Sequence, residues 1–157
     1  MSNSERPRDV FLAGCKAIGG VLAASGFNST ERGQLLRREH GHFVESIHFQ
    51  SSHYNRVGHV VIIPSAAIDS VDLGRWRGDA SGVGDRVAGV NIGHLDGSGW
   101  ATWDLGDPAP QVAAIDSIVQ AVNRHVLPWF ELVEDPDALA GPSRGSTRPT
   151  RCRPWHG

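Results

Sequence analysis

Gly33-Gln34-Leu35-Leu36-Arg37-Arg38-Glu39, then His40-Gly41, then His42-Phe43-Val44-Glu45-Ser46-Ile47-His48-Phe49-Gln50: this run decides the fold. Two stretches of strand character, 33–39 and 42–50, are separated by a His-Gly pair short enough to make only a tight reversal, so they form an antiparallel hairpin. Side chains on a strand alternate between faces. In the second stretch Phe43, Ile47 and Phe49 therefore point one way, with Glu45 among them, and His42, Val44, Ser46, His48 and Gln50 point the other. One face belongs to a core and the other is mostly polar, as in a sheet covered on one side.

Working outward from the hairpin, Phe11, Cys15, Ile18 and Leu22 recur at helical spacing within 9–25, and Gly26-Phe27 supplies a glycine cap with its apolar contact. Val57-Gly58-His59-Val60-Val61-Ile62-Ile63 is apolar on both faces and stops at Pro64, which has no N–H for a ladder. Residues 65–85 carry Asp69, Asp72, Asp79 and Asp85 among four glycines and read as a surface loop, a candidate cover for the second apolar set of the strand, Val60 and Ile62. Strands are expected at 86–95 and 99–105, joined across Asp96-Gly97-Ser98. Val112, Ile115, Val119, Val122 and Val126 mark a second amphipathic helix that should stop near Leu127, because Pro128 follows.

The order helix, five strands, helix, with short connections, specifies an α+β two-layer sandwich: a mostly antiparallel five-stranded sheet with the N-terminal and C-terminal helices packed on one face. The domain is expected to span 1–134. From Asp135 onward Gly, Pro, Ser and Arg dominate, and 135–157 reads as a disordered tail.

Composition narrows function mainly by exclusion. The 157 residues carry a net charge of -2, but residues 1–137 hold all 17 acidic groups against 11 basic ones, while Arg144, Arg148, Arg151 and Arg153 give the tail +4. A body of that sign repels phosphate backbones, so nucleic acid is an unlikely partner. No apolar run approaches the roughly 18 residues that span a bilayer. Leu12-Ala13-Gly14-Cys15 has the form of a lipoprotein cleavage site, yet it lacks the apolar stretch of about 7 to 15 residues that such a signal requires. Cys15 belongs to the apolar helix stripe and Cys152 to the tail, so no disulfide framework is expected, and the chain reads as a cytoplasmic protein.

Four places carry a likeness to a known family: the helix followed by Gly26-Phe27; the strand ending Phe49-Gln50-Ser51-Ser52; the strand Trp100 to Leu105 after a glycine hairpin; and the closing run Val126-Leu127-Pro128-Trp129-Phe130-Glu131. Over about Asp9 to Glu134 the chain resembles the bacterial family known as domain of unknown function 4304. It departs from the pattern at Ile62-Ile63-Pro64 and in the Asp-rich segment after it. The resemblance implies an α+β fold and carries no activity and no site residues.

Chemistry-bearing motifs are sparse. His40, His42, His48, His53 and His59 fall close together in sequence and invite a metal site. His42 and His48 share a face but stand roughly 20 Å apart along a strand, too far for one ion. His40 and His42 are the better pair, and no companion carboxylate or cysteine is spaced to complete their shell. No nucleophile elbow, phosphate loop or dinucleotide fingerprint occurs, so no cofactor is implied. What stands out is the polar sheet face. Trp100 alternates with Thr102 on the side away from the helices, and if Ala88, Val90 and Ile92 face the core, Gly89, Asn91 and Gly93 leave that surface low. His42, Ser46, His48, Gln50, Trp100 and Thr102 are the candidate binding residues. The reading is a non-catalytic binding or protein-interaction module, a monomer or homodimer with a protein or small-ligand partner. The alternative is a small metal-dependent or hydrolytic enzyme using the His-rich strands.

Overall fold

A computed structural model of the chain describes residues 5–106 and 108–137. Helix α1 (Pro7–Leu22) leads through a 3-10 turn into strand β1 (Asn28–Thr30). Strands β2 (Leu35–His40), β3 (Phe43–Ser51) and β4 (Val61–Ser70) follow, then the short helix α2 (Val71–Trp76) and strand β5 (Asp85–Asn91). After a two-residue strand β6 (Trp103–Asp104), helix α3 (Pro108–Ala121) runs through a π turn (Val122–Val126) into α4 (Leu127–Glu134). The strands form one antiparallel sheet in the order β1-β2-β3-β4-β5, and β6 pairs with the first residues of β4. None of the helices among the described residues is long and apolar enough to cross a membrane.

The α+β sandwich follows from the faces of these elements. From α1, Phe11, Cys15, Ile18 and Leu22 are all buried, and Gly26, at φ 88, turns the chain so that Phe27 folds beneath the helix end. Ile118, Val122, Val126 and Phe130 form the facing stripe of the C-terminal helices. Both stripes share one core with Leu36, Ile47, Phe49, Ile62, Ala66 and Ile68, the inward side chains of β2, β3 and β4. Glu45 and Arg38, in register with each other across β2 and β3, lie on that same inward side.

Several expectations are corrected. Pro64 does not end its strand; it lies in the middle of β4, opposite Phe49. Phe49 donates its own N–H to Gln34 O on the far side, so Pro64 needs no donor toward β3. Its other edge falls where β4 changes neighbours, with Ser65 pairing to β5 and Ile62 to β6. The missing N–H therefore costs no ladder bond. With Pro64 tolerated, 65–70 continues as strand rather than loop. Ala66 and Ile68 point inward, and Ser70 caps α2 by accepting the Leu73 N–H at 3.2 Å. Val60 and Ile62 need no separate cover, because both lie in the core.

The hairpin expected across Asp96-Gly97-Ser98 is also absent. The chain leaves β5 at Asn91 through a 3-10 turn, and the strand after the loop is short and joins β4 instead. Finally, the C-terminal helix passes through Pro128. Steps of four between Ile118, Val122, Val126 and Phe130 outrun a helix of about 3.6 residues per turn, and the wider π turn takes up the difference. The Leu127 N–H reaches back to Val122 O, which restarts the bonding so that Pro128 falls in the first turn of α4, where an N–H has no helical acceptor. The inward stripe is rotated relative to the one read from sequence, leaving Val112 62% exposed. Of the expected tail, 138–157 lies outside the described residues.

Candidate functional site

The face of the sheet away from the helices carries a shallow cavity of about 710 Å³, within the size range of small-ligand sites. Its floor is set by the ladder register. One cross-strand row runs Leu35, His48, Ser65, Asn91 and the next runs Arg37, Ser46, Ala67, Gly89. Side chains no larger than serine at Ser46, Ser65, Ala67 and Gly89 leave the middle low. His48, Gln50, Arg86 and Trp100 stand around it, and Ile63, in register with Gln50, adds an apolar patch beside them.

Of the six residues expected on this face, Ser46, His48, Gln50 and Trp100 line the one cavity. His42 does not. It lies past the sheet end, with Nδ1 3.1 Å from Asp72 Oδ2 on α2. Thr102 is exposed but outside the cavity, because 95–102 is loop rather than strand and the alternation assumed for it does not apply. The clustered histidines disperse: His53 packs against Tyr54 with ring centroids 4.0 Å apart, His59 pairs with Asp104 at 2.5 Å and His40 pairs with Glu134 at 2.5 Å.

Trp100 is 67% exposed, yet it is not free to wander. Asn91, buried at the end of β5, accepts the N–H groups of Gly93 at 3.0 Å and Ala101 at 2.9 Å through Oδ1. Its Nδ2 donates to Pro64 O at 3.3 Å and Ala101 O at 3.1 Å. All four hydrogen-bonding positions of the amide are thus spent on the main chain around the tryptophan. Gly93 carries no side chain because a Cβ would lie 2.8 Å from Ala101 N, and closer still to Gly99 O and Ala101 Cβ. His94 meets the indole edge-on at 6.4 Å. Asn91 and Gly93 shape the candidate site, and alternation alone could not rank them. The signal available was a buried-type polar residue at the end of a strand, followed by a glycine.

Arg86 Nε donates to Asp69 at 2.6 Å and the guanidinium extends over Gly89, leaving its amino groups without a partner among the described residues. The side chains of His48 and Gln50 likewise make no hydrogen bond among the described residues. The hydroxyls lean toward main-chain carbonyls at long range, Ser46 Oγ 3.4 Å from Ala67 O and Ser65 Oγ 3.5 Å from His48 O. Neither serine is directed at the His48 ring, so the pairing of nucleophile and base that acyl transfer needs is not assembled here. The cavity offers donors, an amide, an imidazole and one large flat ring, a set suited to holding a ligand.

No protein-family model, no curated protein and no solved structure matches this chain.

Proposed function

We propose that this chain is a non-catalytic binding or protein-interaction module that works through the open face of its sheet, in the cytoplasm. The observation that carries the reading is the convergence of Trp100 with His48, Gln50 and Arg86 around a floor of small side chains. Exposed tryptophan costs apolar hydration unless a partner covers it, and a main chain already anchored beneath it leaves only the side chain to be ordered when it is covered. The uncommitted donors at Gln50 and Arg86 favour a partner with carbonyl or carboxylate oxygens. A cytoplasmic setting fits the free, buried Cys15. The likeness to domain of unknown function 4304 is part of the same proposal and adds no activity to it.

The test is affinity capture on the purified protein, with Trp100→Ala and Gln50→Ala as baits alongside the parent, all three checked for the same circular dichroism and melting. A protein or metabolite retained by the parent and lost from both variants supports the sheet face. Identical retention by three folded baits removes it.

A further inference from the structure

Glu45 is the anomaly of the fold. It stands at 0% exposure on the inward side of β3, between Arg38 on β2 and Ile68 on β4. A carboxylate taken out of water at that depth costs several kcal/mol per ion unless its oxygens are satisfied. Only one of them is. Arg38 Nε donates to Oε2, while the same guanidinium donates from Nη1 to Ser25 O at 2.8 Å and lies over the Phe27 ring at 4.8 Å. Among the described residues Glu45 Oε1 is buried without a partner, and so is Oε1 of Glu134, the last residue of α4. Glu134 Oε2 lies 2.5 Å from Nδ1 of His40, the last residue of β2. One ligand atom from each of His40, Glu45 and Glu134 falls within 4.8 Å of the others.

We propose that His40, Glu45 and Glu134 form a divalent transition-metal site, for zinc or manganese, that clips the end of α4 to the β2–β3 hairpin. A single proton shared between the two carboxyl groups, with His40 on Glu134 Oε2, is the competing account of the same atoms, and titration with metal separates the two. A cation uses all three groups. Two carboxylates and one guanidinium leave the cluster one negative charge in excess, which a divalent ion over-compensates by one. An imidazole beside two carboxylates is a donor set for zinc or manganese rather than for an ion that takes oxygen alone. Arg38 is placed as an outer-shell partner, fixing Glu45 through Oε2 so that Oε1 stays directed at the ion. The His40 side chain, 62% exposed, borders solvent, so water has access to the remaining coordination positions. Coordination needs the lone pair of Nδ1, so binding releases any proton held there. The site lies on the opposite face of β3 from the cavity and does not depend on it.

The test uses the full chain without a polyhistidine tag, stripped with chelator and titrated calorimetrically with zinc and then manganese chloride. The expected result is one ion per chain, released protons and a raised melting temperature. His40→Ala and Glu134→Gln, both at the rim of the fold, should weaken binding about tenfold or more, while His53→Ala leaves it unchanged. Glu45→Gln is the stricter probe but sits in the core, so the two rim variants decide the matter if it fails to fold. No saturable uptake of either ion, or uptake that survives both His40→Ala and Glu134→Gln, overturns the site.

Discussion

The amide of Asn91 grips Ala101 at both ends, its Oδ1 accepting the Ala101 N–H and its Nδ2 donating to the Ala101 carbonyl. This one side chain does the work of a missing strand pair: it joins the end of β5 to a segment that never enters the ladder, and so fixes the tryptophan just before it.

Replacing Asn91 by Ala should therefore cost about 2–3 kcal/mol, because buried main-chain groups at Pro64, Gly93 and Ala101 lose their partner. The loss should be concentrated in 92–102. Urea denaturation gives the first figure. Amide exchange read residue by residue should show that loop opening much faster than in the parent while β3 and β4 keep their protection. Unchanged exchange at Ala101 would contradict the role assigned to Asn91.

How far the sequence could be read follows from the range of the forces involved. The inward set Phe43, Ile47 and Phe49 and the outward set Ser46, His48 and Gln50 both follow from alternation within one strand, which is a local rule. At Pro64 and Pro128 the local rule, no N–H and therefore no continuation, is overridden by a change of strand neighbour in one case and a π turn in the other. With Pro64 taken as a stop, Ser65 and Ala67 could not be placed on the cavity floor. Glu45 was visible as a charge in an apolar face, but its partner Glu134 comes from the far end of the chain, beyond any spacing argument.

Cys15 is expected to be chemically silent. Burial pushes its thiol up to about 12, against which its backbone hydrogen bond gives only a little relief. In a Cys152→Ser background, labelling by a disulfide reagent at pH 8 should run about a thousandfold or more slower in the native protein than in urea, since it must wait for opening of the core. The raised value also sets a sign. The thiol contributes fully to stability below its ordinary 9.0, and that contribution drains away as pH rises from there toward about 12. A native thiol that reacts at the unfolded rate would show that α1 does not pack as described.

Asp104 sets the acid limb near β6. Burial raises its carboxyl, but the N–H groups of Gly106 and Val60, together with His59, more than offset this and hold it below the ordinary 3.8. A depressed carboxyl contributes stability above its unfolded value and loses it as pH falls through the folded one. Melting temperature should thus drop on acidification below about pH 4. Asp104→Asn keeps an acceptor for Val60 and Gly106 but cannot ionise, so its acid limb should be flatter, with a difference at pH 7 of no more than about 1 kcal/mol because the group is partly solvated. Superimposable pH profiles for parent and variant would sink this account.

Arg38 and Glu45 offer the sharpest link between the core and the proposed ion. With chelator present, Arg38→Met leaves the Glu45 carboxylate buried with no countercharge, and should destabilise the fold by about 3–5 kcal/mol. Arg38→Met combined with Glu45→Leu removes both charges and fills the space with apolar atoms, so it should recover most of that loss. Zinc should distinguish the two variants. If the ion sits between Glu45, Glu134 and His40, it supplies the countercharge that Arg38→Met lacks, and saturating zinc should raise the melting temperature of this single variant. It should do far less for the double variant, which has lost the Glu45 ligand. Equal zinc shifts in all three proteins would mean that the ion does not meet Glu45, and that the orphan oxygen in the core is answered in some other way.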